Sequence, residues 1–218
     1  MASKSRRNRV KFKFTKELFF LIAFLVIILV TTIGLSIPSS SSRQLDSLND
    51  AITDYNVNNS TSYGTLDKDN PFSIIKGGMK KKVNKTKKLA NRDKYTYVFY
   101  GTLNNATYLE QLSKISNYCD EEQYDINTVY LFYADYIEEA KKNGDDDTKS
   151  FKDTISAYED KLNGNVSSKS KEFDMTIYPT LLVYKSGELL YNSQQDEDNE
   201  LDWNAHLVKA FSFEKYDE

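Results

Sequence analysis

The sequence predicts an α/β domain, built as a mixed central sheet flanked by helices, behind one N-terminal transmembrane helix. Three observations carry this expectation. Short β-branched and aromatic runs alternate with segments of 3.6-residue apolar periodicity, the pattern of strands joined by helical crossovers. Two later apolar runs meet at Ser186-Gly187, which reads as a hairpin. A charge-free stretch of twenty residues, Leu18–Ile37, stands near the N-terminus.

That stretch is long enough to span. A helix rises about 1.5 Å per residue, so twenty residues cover roughly 30 Å, the hydrocarbon thickness of a bilayer. Residues 1–17 form a basic tail in which Lys4, Arg6, Arg7, Arg9, Lys11, Lys13 and Lys16 face only Glu17. By the positive-inside rule this tail is cytoplasmic and the remainder lies outside, anchored in the cell membrane by a single pass. A cleaved signal peptide has a shorter apolar core and a small-residue exit, whereas this run leaves through "GLSIPSSSS". Residues 1–43 carry a net charge of +7 and the whole chain −3, so residues 44–218 carry −10. An acidic body of this kind is not a nucleic-acid binder.

Residues 38–70 read as an extracytoplasmic stalk, polar and rich in turn formers. Within it Leu45, Leu48, Ile52 and Tyr55 fall on one stripe of a short helix, which points to docking on the domain rather than pairing with a second copy. The domain occupies 71–218. It begins with a lysine-rich helix around Lys80–Lys88, with Met79, Val83 and Leu89 turned inward. Its lysines read as a solvated face in preference to a patch for anionic lipid or wall polymer. "YTYVFYG" (95–101) is a buried strand, and Asn105 to Cys119 a helix with Tyr108, Leu109, Leu112 and Ile115 on one face. "TVYLFYA" (128–134) is a second strand. Helices follow at 136–142 and 148–162, then the hairpin 180–192. A last helix, 201–211, places Leu201, Ala205, Val208 and Phe211 on one face.

The segment "FDMTIYPTLLVYKSGELLY" resembles the Ile-Pro-Thr-Leu-Leu and Lys-x-Gly stretch of the thioredoxin superfamily. In that family the proline follows a cis bond and opens a central strand, which here would be Tyr178-Pro179. Proline is the residue for which a cis bond costs little, and at a strand start it removes no ladder bond. With "NPF" and "YVFYG" upstream, the chain is similar to membrane-tethered thioredoxin-like proteins of Gram-positive bacteria, of the bacteriocin-transport accessory type. The resemblance covers about residues 70–192. It implies a Cys-x-x-Cys opening the first long helix, and those two positions fall on Asn105 and Tyr108.

Neither residue can do disulfide exchange, which needs a thiolate to attack and a second thiol to resolve. The strand position where the resemblance implies a buried acid is Phe99. Cys119 is the only thiol and reads as a small buried hydrophobe; Asp120, Glu121 and Glu122 beside it disfavour a thiolate. His206 is the only histidine, with no Cys or His cluster around it, so no zinc ligand set is in view. The acidic runs at 145–147 and 194–200 lack the glycine and closing glutamate of a calcium loop. No nucleotide fingerprint occurs. No cofactor and no metal are expected.

The functional expectation is a non-catalytic, extracytoplasmic protein- or peptide-binding accessory module. The resemblance implies a groove beside Tyr178 and Pro179, lined by Asn105 and Tyr108, for an exported polypeptide or a membrane complex. The alternatives are a redox role for Cys119 and a structural scaffold of a membrane complex.

Overall fold

The computed structural model describes residues 40–120, 126–195 and 202–215. The chain divides into two compact units, residues 1–43 and Gln44–Glu218. The expected membrane helix Leu18–Ile37 lies outside the described residues; among those described, no helix is long and apolar enough to cross a membrane.

Six helices and six strands alternate along the described chain: α1 (Ser40–Asn59), β1 (Phe72–Ile74), α2 (Met79–Ala90), β2 (Thr96–Gly101), α3 (Ala106–Asp120) and β3 (Val129–Tyr133). There follow α4 (Asp135–Asn143), α5 (Lys149–Asn163), β4 (Asn165–Val166), β5 (Thr180–Lys185), β6 (Glu188–Asn192), a 3-10 turn (Ser193–Gln195) and α6 (Trp203–Lys215). They form one mixed sheet in the order β1-β3-β2-β5-β6-β4. β3 runs parallel to β1 and β2, and β5 runs antiparallel to β2 and β6. This is a mixed α/β architecture consistent with a thioredoxin-like class.

Every residue of β2 is buried. Successive side chains of a strand point to opposite faces, so such a strand needs cover on both sides. Val98, Tyr100, Phe132, Leu182 and Tyr184 join one core with α2, α4 and α5. Tyr97, Phe99, Leu131, Leu181 and Val183 join the other with α1, α3 and α6. The hairpin turn has φ of 50° at Ser186 and 85° at Gly187, the paired positive values of a two-residue turn suited to twisted strands. Its amides donate to Arg92 O and Ala90 O, which seats the turn on the end of α2.

Residues 44–70 are part of this unit. Leu48, Ile52 and Leu66 are buried in the α1–α3–α6 core. The asparagines that suggest a flexible stalk act as clamps. Asn49 donates through Nδ2 to Leu66 O and accepts at Oδ1 from Leu66 N, at 2.9 and 2.8 Å. Asn56 does the same with Tyr63 O and N, both at 2.9 Å. A side-chain amide pairs with extended backbone much as a neighbouring strand does, so polar composition here marks order.

Helix α6 departs from the expected face. Of that face Phe211 is buried, but Ala205 and Val208 are exposed, while His206, Leu207 and Ala210 are buried in their place. The larger stripe at 207, 210 and 211 wins the contact with the sheet because it buries more apolar area. Leu201 lies outside the described residues.

Two substitutions test the α1 packing. Leu48→Ala is expected to lower stability by about 2–5 kcal/mol. Asn49→Ala, which removes two buried backbone partners, is expected to cost about 1–3 kcal/mol. Urea unfolding midpoints read both, and unchanged midpoints would mean that α1 is not part of the folded unit.

Candidate functional site

The ends of three strands meet at one margin of the sheet. β2 ends at Gly101, its parallel neighbour β3 at Tyr133, and the antiparallel β5 begins at Thr180, paired with Tyr100. In α/β sheets ligands gather beside such carboxyl ends, where loops diverge to opposite faces.

The loop leaving β2 turns immediately. Thr102 Oγ1 accepts from Asn104 N, and Thr102 O from Asn105 N. Asn105 then caps α3: its Oδ1 accepts from Tyr108 N at 2.9 Å. Asparagine at this position satisfies one of the amides that a helix start leaves without partners. Its side chain is half-buried and committed to the cap. The exposed Asn104 reaches across to Glu138 on α4 at 2.9 Å.

Tyr108 faces inward, contrary to its expected place lining a groove. It is wholly buried and stacks on Phe99 with 4.4 Å between ring centroids and 8° between planes. Gly101 makes this possible, because a Cβ there would stand 2.3 Å from Tyr108 Cδ2. The space between the start of α3 and the sheet is therefore filled by two stacked aromatic rings. The Tyr108 hydroxyl has no hydrogen-bond partner among the described residues, nor has that of Tyr133, whose ring meets it edge-on at 6.3 Å. The sequence signal for this was a strand-ending glycine followed by an aromatic on the inward face of the next helix.

On the other side of the margin, the peptide bond Tyr178-Pro179 is cis. Tyr178 is half-buried, its ring packing edge-on against Tyr100 at 6.2 Å, with Lys141 Nζ 5.0 Å above it. Ile177 is 51% exposed. The turn is held from below by Gln194, whose Nε2 has Asp174 O, Ile177 O and Thr180 Oγ1 within reach of its two hydrogens, while Oε1 accepts from Asp174 N. Ser193 Oγ accepts from Leu181 N, and Tyr100 OH donates to Met175 O at 2.7 Å. Gln194 reads in the sequence as the start of an acidic loop, and nothing local marks it as a clamp.

Beside this turn an open cleft of about 600 Å³ runs between α5 and residues 172–176, with Glu159, Asp160, Glu172 and Asp174 on its walls. Burial pushes the Glu159 carboxyl above its ordinary value, with neighbouring carboxylates adding to the rise, although Met175 N donates to it. A smaller cleft of about 320 Å³ lies between α4 and α5 under Tyr136. Among the described residues no group of three or more His, Cys, Asp or Glu side chains is arranged to hold a metal ion.

The remaining candidate residues are distant from this margin. Cys119 is half-buried on the last turn of α3 and packs against the α1–α3–α6 core. His206 is buried on α6 with its Nδ1 against the Tyr191 hydroxyl and its ring edge-on to Trp203. The structure thus brings Asn105, Tyr108, Tyr178 and Pro179 to one end of the sheet, with only the last two presenting a shaped surface. No family model, curated protein or solved structure matches the chain.

The filled site has two measurable consequences. Gly101→Ala is expected to cost about 1–3 kcal/mol through overpacking against Tyr108. Tyr108→Phe is expected to be neutral or stabilising, since it deletes a buried hydroxyl without a partner. Tyr100→Phe, which strands Met175 O, serves as the contrast and is expected to cost about 1 kcal/mol. Chemical denaturation of the three variants decides.

The second consequence concerns alkaline pH. Burial first, then nearby Tyr178, raises the Tyr100 phenol. Burial, then Tyr133 and Asp135, raises Tyr108. Burial, then Asp135, raises Tyr133, and burial alone raises Tyr184. A group whose folded pKa is raised stabilises fully below its unfolded pKa, here near 10, and that contribution is lost as pH climbs above it. The contribution of these tyrosines to stability is therefore expected to be flat below pH ~10 and to fall above it, by up to about 1.4 kcal/mol per pH unit for each phenol. Absorbance titration near 295 nm should show these tyrosines ionising only together with unfolding.

Proposed function

We propose that residues 44–218 form a thioredoxin-like module that has lost disulfide chemistry and serves as a non-catalytic binding or accessory domain. It is held outside a membrane by the helix Leu18–Ile37. Three things support the thioredoxin-like reading. The strand order places two parallel strands and an antiparallel hairpin side by side. Pro179 precedes β5 after a cis bond. The loop after β2 leads into the capped start of α3, the position where the resemblance implies a dithiol.

The observation that carries the function is the pairing of a filled site with an open turn. Phe99 and Tyr108 occupy the inward space behind the helix start. The turn opposite stays preorganised by Gln194 and exposes Ile177 beside Tyr178. A preorganised turn loses little freedom on binding, and an apolar side chain exposed beside a half-buried aromatic is an anchor for a polypeptide segment. The partner in this reading is an exported polypeptide or a component of a membrane complex. No cofactor, metal or nucleic acid enters it. Cys119 packs against an apolar cluster away from the turn, so no observation favours the redox alternative.

The reading is tested with the full chain carrying a photo-crosslinker at the neighbouring exposed position 176. Ile177→Asp and Tyr178→Ala are expected to weaken partner capture at least tenfold, about 1.4 kcal/mol, while the unfolding midpoint stays near wild type. Insulin reduction is expected at background. Capture unchanged in both variants, or insulin reduction that Cys119→Ser abolishes, would overturn it.

A further inference from the structure

The exposed face of α2 is the cationic pole of an acidic body. Lys80, Lys81, Lys85, Lys87 and Lys88 all point to solvent, Lys76 stands exposed just before them, and the helix contains no acid. Lys82 alone turns inward, donating to Tyr133 O at 2.9 Å and Asp135 Oδ2 at 2.8 Å. None of the outward lysines has an ion pair among the described residues.

Three lysines on other helices stand beside an acid. Lys114 pairs with Glu110, Lys149 with Asp153, and Lys152 with Asp147. A merely solvated helix face is built in that way, with charges of both signs a turn apart. On α2 the neighbours a turn apart, Lys81–Lys85 and Lys85–Lys88, have like charge, which destabilises a helix. Lys87 and Lys88 are favoured by the helix C-terminus, but Lys80 and Lys81 stand at the unfavourable N-terminal end. Helix stability therefore does not account for the strip.

The form of the strip suggests its partner. Twelve residues of helix extend for roughly 18 Å. The clefts described above are lined by other elements, so the lysines form a convex row and no cradle for a single small anion. No aromatic side chain on the exposed face offers stacking for bases. A row of this kind suits a planar array of phosphate headgroups, with its lysines lying at the surface and no apolar residue to insert.

We propose that α2 docks on an anionic phospholipid surface through this lysine strip. This rests on the reading of Leu18–Ile37 as a membrane anchor. Only ten residues of sequence separate Ile37 from Leu48, so a folded unit anchored in this way is never far along the chain from the bilayer. A short tether raises the effective concentration of the strip at the bilayer, and weak attraction then suffices.

The test uses the full chain in Cys119→Ser background, with a fluorophore on Asn84→Cys in the middle of the exposed face. It is reconstituted in vesicles of phosphatidylcholine alone, or of phosphatidylcholine with phosphatidylglycerol, each holding a headgroup nitroxide quencher. Quenching is expected in the phosphatidylglycerol vesicles. It should fall to the neutral-lipid level when Lys80, Lys81, Lys85 and Lys88 are changed to Gln. The same loss is expected at about 0.5 M salt, where screening acts within roughly 4 Å. Equal quenching in both lipids, or no loss in the Gln variant, would overturn the proposal. A soluble polyglycerol phosphate that shifts the fluorophore without lipid, and removes the quenching with it, would also overturn it in favour of a soluble polyanion. Flotation with neutral vesicles at high salt reads the anchor separately. A chain that fails to float has no anchor, and the lysine-dependent quenching on added phosphatidylglycerol vesicles still decides the strip.

Discussion

Full burial of β2 is the constraint from which the rest of the structure follows. A strand with no exposed residue cannot rest on one layer, so the chain must supply two. One layer comes from α2, α4 and α5, and the other from α1, α3 and α6. The second layer explains why residues that look like a stalk are ordered. Without Leu48, Ile52 and Leu66, part of the surface around Tyr97, Phe99 and Leu131 would lose its cover. The domain thus reaches back toward its N-terminus, and the clamps of Asn49 and Asn56 fix the return segment in place.

The same strand sets the two halves of the candidate site. Its inward aromatic on one face, Phe99, carries the Tyr108 ring, and its aromatic on the other, Tyr100, carries the Tyr178 ring. Adjacent residues of one strand therefore close one side of the sheet margin and support the exposed turn on the other. Polar side chains complete the arrangement. Asn105 ends one loop by capping a helix, and the half-buried side-chain amide of Gln194 bridges the other. The turn is thus braced by a residue that lies beyond it in the chain.

Much of the architecture was legible in the sequence because it depends on local pattern. The runs 95–101 and 128–134 announce buried strands, and Ser186-Gly187 announces a hairpin, since each signal is carried by adjacent residues. The helix face of α2 was equally plain in Met79, Val83 and Leu89. What escaped depends on partners far away in the chain. Asn49 and Asn56 look like loop formers until Leu66 and Tyr63 are brought alongside. Tyr108 looks like a groove residue until Gly101 makes room for its ring. In α6 two apolar stripes compete, and only the sheet decides between Val208 and Leu207. Lys82 is indistinguishable from its neighbours until Asp135 lies opposite.

The stacked rings of Phe99 and Tyr108 also bear on what this protein can become. A cysteine at position 108 would replace a phenol with a group a fraction of its volume, beneath a helix start that now rests on that ring. A single substitution in that direction would leave a void before it gained any chemistry. Position 105 presents the opposite obstacle, since a thiol there would give up the oxygen that caps α3. Accommodating a dithiol at 105 and 108 would take coordinated changes at these positions and at the Phe99 that stacks on Tyr108. Packing therefore resists change at these three positions, while the exposed Ile177 meets no such resistance.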